Sequence, residues 1–103
     1  LISLKPLQYK KIGPEEKHLN DKTNPPNFYV EFFKNQKNLK NITCFSNEGN
    51  QWNNAVTYLH KQVLKIKFTD KFLTRRGRIN CSLNDNGVWR WFGIQFSIRG
   101  LSD

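Results

Sequence analysis

Hydrophobic and polar residues alternate with a period of two over much of this chain, the pattern of strands that bury one face. The alternation is clearest over residues 78–98, RINCSLNDNGVWRWFGIQFSI. Within it, Asn86-Gly87 supplies the two positive φ angles that a type I′ hairpin turn demands. Folding the arms across that turn sets Ile79 opposite Ile94, Cys81 opposite Phe92 and Leu83 opposite Arg90. The other face then carries Asn84 opposite Trp89, Ser82 opposite Trp91, Asn80 opposite Gly93 and Arg78 opposite Gln95. A four-residue loop over residues 84–87 keeps the same face assignment, because side chains of a strand alternate strictly. One face of this hairpin suits a core, and the other presents two indoles among hydrogen-bonding side chains.

The remaining elements are shorter. Residues 28–34 (FYVEFFK) predict a strand with Phe28, Val30 and Phe32 on one face, followed by a turn at 35–38 and a return strand over 39–46. Residues 47–54 read as a polar loop carrying Trp52, and 55–60 as a short strand in preference to a helical turn. Residues 62–69 alternate Leu64, Ile66 and Phe68 against Lys65 and Lys67, before a basic connection over 70–77. At the start, residues 1–12 alternate weakly around Pro6 and suit an edge strand or the tail of a linker, and 13–27 form a Pro- and Asn-rich loop. Short strands with polar turns every eight to twelve residues predict an all-β fold, an antiparallel β-sandwich or small barrel of about six to eight strands. Residues 42–52 (ITCFSNEGNQW) echo 79–89 (INCSLNDNGVW), which marks either two like-built hairpins packed face to face or a chance match.

At 103 residues the chain makes one domain, 1–103. Starting at Leu1 with no Met, it is expected to be a fragment of a longer protein or a mature form. No apolar run approaches the roughly 18 residues of a membrane-spanning helix. The net charge of +9, from 17 Lys and Arg against 8 Asp and Glu, favours polyanionic partners, or reflects a composition rich in Lys and Asn. No block of five or six like charges occurs. Cys44 and Cys81 face inward on this register; they form a disulfide between two strands if the domain is extracellular, and otherwise are small buried hydrophobes. Two cysteines make no zinc site alone, and no metal ligands or cofactor are assigned. Asn41-Ile42-Thr43 and Asn80-Cys81-Ser82 match the N-glycosylation pattern, which an Asn-rich chain also produces by chance.

The candidate chemistry lies on the outer hairpin face. Trp89, Trp91 and Gln95, with Arg78, Asn80 and Ser82 opposite, suit the apolar faces and hydroxyl rims of sugar rings, and equally stacked bases beside phosphates. Gly93 is expected to leave a shallow slot beside Trp91. The competing reading covers both indoles with a loop, a bulge or a parent domain. Arg75, Arg76, Arg78 and Arg90, with Lys65 and Lys67, form either a basic field near the indoles or solvated positions whose stems cover the rings. For catalysis, His18 and His60 with a lysine match ribonuclease-type general acid–base chemistry in residue type, but nothing local ties them together. Glu15, Glu16 and Glu48 are loop carboxylates without a defined spacing, so no catalytic residue is assigned.

The run R-I-N-C-S-L-N-D-N-G-V-W-R-W-F-G-I-Q-F, residues 78–96, resembles the C-terminal β-rich segment that follows the catalytic domain in some secreted bacterial polysaccharide deacetylase-like proteins. The resemblance implies an accessory role in a secreted or cell-envelope protein that modifies a polymer. The metal-binding Asp and His residues of such proteins sit in a separate barrel, so neither metal nor deacetylase activity carries over. The expected function is a non-catalytic accessory domain binding an extended polymer, a polysaccharide or other polyanionic polymer, beside a parent catalytic domain. Two alternatives stand: a nucleic-acid-binding domain, with a basic ribonuclease toxin as its catalytic form, and a structural docking module.

Overall fold

The computed structural model of the chain describes residues 5–13 and 27–97. The loop expected over 13–27 lies almost wholly outside the described residues, as do His18, Glu15 and Glu16. Among the described residues, eight strands run β1 (Lys5–Pro6), β2 (Lys11–Gly13), β3 (Asn27–Glu31), β4 (Leu39–Glu48), β5 (Gln51–His60), β6 (Val63–Phe68), β7 (Arg76–Asp85) and β8 (Val88–Ser97). No helix occurs among the described residues, so none is long and apolar enough to cross a membrane.

The strands order as β1-β8-β7-β4-β5-β6-β3-β2. β5 belongs to two half-sheets: Gln51 to Asn54 pair with β4, and Ala55 to His60 pair with β6. The sheet curls at this strand, and the halves face each other across the core. The N-terminal segment then bridges the opposite gap. β1 pairs in parallel with β8 and β2 in antiparallel with β3, while Leu7 N–H donates to the Trp91 carbonyl at 2.7 Å and Lys10 N–H to that of Glu31 at 2.8 Å. The result is a small all-β, barrel-like fold, as the short alternating runs predict.

Alternation dictates the core. Phe28 and Val30 of β3 with Phe32 just beyond it, Leu64, Ile66 and Phe68 of β6, Ile79 and Leu83 of β7, and Phe92, Ile94 and Phe96 of β8 are all buried. Phenylalanine rings join the halves, with centroids 6.0 Å apart for Phe28–Phe96 and 5.7 Å for Phe32–Phe92. Phe72, from the connection between β6 and β7, stacks on Phe96 at 4.4 Å. Each such pair contributes about 0.5–1.5 kcal/mol beyond its buried area. Gly77 lies beneath Phe96: an added Cβ would come within 2.4 Å of the ring and 2.8 Å of the Asn47 carbonyl.

The turns divide the predictions. Asn86 (φ 53°) and Gly87 (φ 90°) close β7–β8 as expected, and Gly87 N–H donates to Asn84 Oδ1 at 2.7 Å. Every pair foreseen across that hairpin forms. The polar loop expected over 47–54 does not exist: those residues lie in β4, in β5 and in a two-residue turn at Gly49-Asn50, where Gly49 takes φ 62°. The echoing hairpins lie side by side in one half-sheet, β4 against β7, instead of face to face. Cys44 and Cys81 are directly paired across β4 and β7, 4.2 Å apart at Cα, and are joined by a disulfide. That short spacing belongs to a non-hydrogen-bonded antiparallel pair, where side chains approach closely enough to bridge. Asn41, at φ 55°, supplies the extra residue of a β-bulge between Lys40 and Thr43 and leaves Ile42 packed on the core.

Candidate ligand-binding face

The outward face of β8–β7–β4–β5 is a grid whose rows are set by register. One row runs Trp89–Asn84–Lys40, the next Trp91–Ser82–Thr43, then Gly93–Asn80–Phe45–Asn54, and last Gln95–Arg78–Asn47–Trp52. All six residues singled out from the sequence, Trp89, Trp91, Gln95, Arg78, Asn80 and Ser82, therefore share one surface. Trp89 is 41% exposed; Trp91, Ser82 and Asn80 are half-buried; Arg78 and Gln95 are exposed. The edge strand β1 runs along β8 at this point, with Pro6 beside Trp91, so the indoles flank the strap that closes the barrel.

Gly93 does not leave an empty slot. The Arg78 guanidinium lies across it, since a Cβ on Gly93 would fall 2.4 Å from Nη2 and 2.9 Å from Nε. Arg78 Nε also donates to Asn80 Oδ1 at 3.3 Å. The absence of a side chain at 93 thus leaves room for a guanidinium between Trp91 and Gln95. A shallow hollow of about 440 Å³ adjoins it, bordered by Asn47, Arg76, Arg78 and Gln95.

The grid also holds rings that local sequence reading missed. Trp52 is 65% exposed, and its indole sits 5.0 Å from the Phe45 ring, tilted by 41°. A second hollow, about 310 Å³, lies beside Trp52 between Gln51, Asp70, Lys71 and Leu73. Its floor is built by polar groups that the sequence suggested were loop residues. Glu48 is buried, and its carboxylate accepts from Leu73 N–H (2.8 Å), Thr74 N–H (2.9 Å) and the Thr74 hydroxyl (3.1 Å). Buried Asn53 accepts from Asp70 N–H at 3.1 Å and donates to the Asp70 carbonyl. These bonds fasten residues 69–75 to the β4–β5 hairpin. Glu48 is a structural anchor rather than a free loop carboxylate.

The basic residues do not all gather into one field around the indoles. Arg90 turns to the barrel rim, where Nε lies 2.9 Å from Asp85 Oδ2 and Nη1 donates to the Pro6 carbonyl at 3.4 Å. Lys65 and Lys67 lie on the outer face of the other half-sheet, in rows with Tyr58 and Tyr29 and with Val56 and Asn27. His60 stands exposed at the end of β5, beside the turn to β6. On the indole face the cations are Arg76 and Arg78, in successive rows near the start of β7, and Lys40, at the opposite margin.

Comparison with known protein families, curated proteins and solved structures finds no match. The chemistry of the face is the guide to what the chain does.

Proposed function

We propose that this chain is a non-catalytic accessory domain that binds an extended polysaccharide across Trp89 and Trp91, with Ser82, Asn80, Arg78 and Gln95 as hydrogen-bonding partners. One observation carries the reading: an exposed and a half-buried indole stand in register with short hydroxyl and amide side chains on a single sheet. Sugar rings have apolar faces and polar rims, so flat aromatic surfaces flanked by directional donors and acceptors complement them. Leaving such rings in water without a partner forfeits burial worth about 25 cal/mol per Å² of apolar surface. The cross-strand disulfide supports a secreted or cell-envelope setting, where such bonds persist.

A nucleic-acid strand carries a charge on every nucleotide and calls for a track of cations beside its stacking rings. The indole face offers Arg76 and Arg78 near the start of β7 and Lys40 at the opposite margin, with no cation in the rows between, a poor match for that need. The nucleic-acid reading is favoured only by the other outer face, where Lys65 stands between Tyr58 and Tyr29.

The test is retention in affinity gels cast with neutral polysaccharides (β-1,4-glucan, xylan, mannan and chitin derivatives), beside titration with single-stranded RNA at low and high salt. The expected result is retention by at least one polysaccharide that is insensitive to salt and weakened at least tenfold by Trp91→Ala, about 1.4 kcal/mol. Salt-sensitive RNA binding without retention on any polysaccharide would overturn the proposal.

A further inference from the structure

We infer that the face carries a second subsite, built on Trp52 and equivalent to that of Trp89, so that the domain grips a polysaccharide at two separated points. The inference rests on the polysaccharide reading above and extends it to a part of the surface outside the β7–β8 hairpin.

The two hairpins of this half-sheet repeat at a fixed offset, the 37 residues that separate Cys44 from Cys81. At that offset Asn47 matches Asn84, Glu48 matches Asp85 and Trp52 matches Trp89. Each hairpin closes in a two-residue turn, Gly49-Asn50 in one and Asn86-Gly87 in the other. In each, the asparagine pairs directly with the tryptophan: Asn47 with Trp52, Asn84 with Trp89.

Geometry turns this repeat into a symmetry. β4 and β7 are antiparallel and the two cysteines are a register pair, so a local twofold axis passes through the disulfide, normal to the sheet. β5 flanks β4 on one side and β8 flanks β7 on the other. Measured along β7, Trp52 lies in the row of Arg78 and Trp89 in the row of Asn84, each three residues from Cys81. Each hairpin also carries one further ring on this face, Phe45 beside Trp52 and Trp91 beyond Trp89.

Packing explains only half of the repeat. The cysteines point inward, where the disulfide and core need them. The Asn–Trp pairs point outward, and nothing in the core requires an indole at either place. Trp52, at 65% exposed, is the most open large apolar side chain among the described residues. Three strand spacings of about 4.8 Å and six residues at about 3.3 Å separate the two indoles, a diagonal of roughly 25 Å along the sheet. An extended chain spans that distance, whereas a disaccharide does not. The twofold axis presents the two indoles to a directional polymer in opposite senses. Stacking tolerates this because apolar contact with a ring face is largely non-directional. The neighbouring polar sets differ (Ser82 and Lys40 near one end, Asn54 and Arg78 near the other), so directional recognition is not duplicated.

Two linked contacts raise affinity through effective concentration, with gains of about 10²–10⁴ when the ligand spans both. The experiment is calorimetric titration of wild type, Trp52→Ala and Trp89→Ala with β-1,4-linked gluco-, xylo-, manno- and N-acetylglucosamine oligomers of about three and about eight rings. In wild type the long oligomer binds at least tenfold more tightly than the short one, and the short one occupies two sites per molecule. Both variants lose the length dependence and bind one short oligomer. Trp52 is exposed on a strand surface, so its replacement leaves the core untouched, and a thermal melt matching wild type verifies this. Unchanged long-oligomer affinity in Trp52→Ala, with Trp91→Ala still defective, would overturn the second subsite while leaving the proposed function standing. Failure of wild type to bind any oligomer or polysaccharide would overturn both.

Discussion

The outer face of β8–β7–β4–β5 and that of β5–β6–β3 both expose aromatic rings, and they differ in what stands beside them. On the first, Trp89, Trp91, Trp52 and Phe45 are interleaved with Asn84, Ser82, Asn80 and Asn47, whose short side chains leave the ring faces open. On the second, the rows run Tyr58–Lys65–Tyr29, Val56–Lys67–Asn27 and His60–Val63–Glu31. Lysine stems there can lie over neighbouring rings while their ammonium groups reach water, and Lys65 is only half-exposed. Exposed aromatic area alone therefore says little about function in this fold. The length and charge of the side chains in the same row decide whether a ring is available to a neutral ligand.

The largest way to sharpen this contrast acts on the disulfide, which ties only the first half-sheet. Closing a loop of 37 residues stabilises by roughly 4 kcal/mol on the chain-entropy model. Cys44→Ala with Cys81→Ala is expected to lower the urea midpoint accordingly. In hydrogen exchange, protection should fall first in β4 and β7, while β3 and β6 stay protected until global unfolding. Equal loss in both halves would break the comparison.

A paired substitution separates the inside of that half-sheet from its outside. Gly77→Ala forces a Cβ against the buried Phe96 ring and the Asn47 carbonyl, and is expected to cost about 1–3 kcal/mol, read by thermal melting. Gly93→Ala meets only the far end of Arg78, which can swing into solvent, so its stability cost should stay under about 1 kcal/mol. Polysaccharide affinity should nevertheless fall, because the guanidinium leaves its position beside Trp91.

The smallest effect belongs to the second half. Lys61 holds φ 54° in the β5–β6 turn, a conformation that costs a side chain about 1 kcal/mol. Lys61→Gly is expected to raise stability by about 0.5 kcal/mol, because the extra freedom of glycine in the unfolded chain offsets part of the relief. Binding at the indole face should not change.

How much of this was legible in the chain depends on where each residue's partners lie. The β7–β8 hairpin could be read residue by residue, because Asn86-Gly87 fixes the turn and Ile79, Cys81, Phe92 and Ile94 fix the buried side. Phe28, Val30 and Phe32 were legible for the same reason. The β4–β5 hairpin was not, since its inward positions are Ser46, Glu48 and Asn53 rather than apolar residues. Glu48 and Asn53 are satisfied by backbone groups of residues 69–75, some twenty residues away, and no local pattern announces such partners. Mistaking that hairpin for a loop concealed Trp52, although the echo of Asn84–Trp89 in Asn47–Trp52 held the clue. Whether Lys65 and Lys67 stand near the indoles was not legible, because their strand pairs with β5 and β3 and sheet order is not written in alternation. For the candidate site, the shared face of its six residues was legible, while the seating of Arg78 over Gly93 needed coordinates.

The most direct test of the central claim uses the three tryptophans of the chain, all of which lie on the indole face. Their indole N–H groups give separate NMR signals that can be followed as a soluble polysaccharide from the gel panel is added. The signals of Trp89, Trp91 and Trp52 should shift or broaden together, while amides around Tyr29, Lys65 and Tyr58 stay still. Undisturbed indoles, or shifts confined to the tyrosine–lysine face, would contradict that claim.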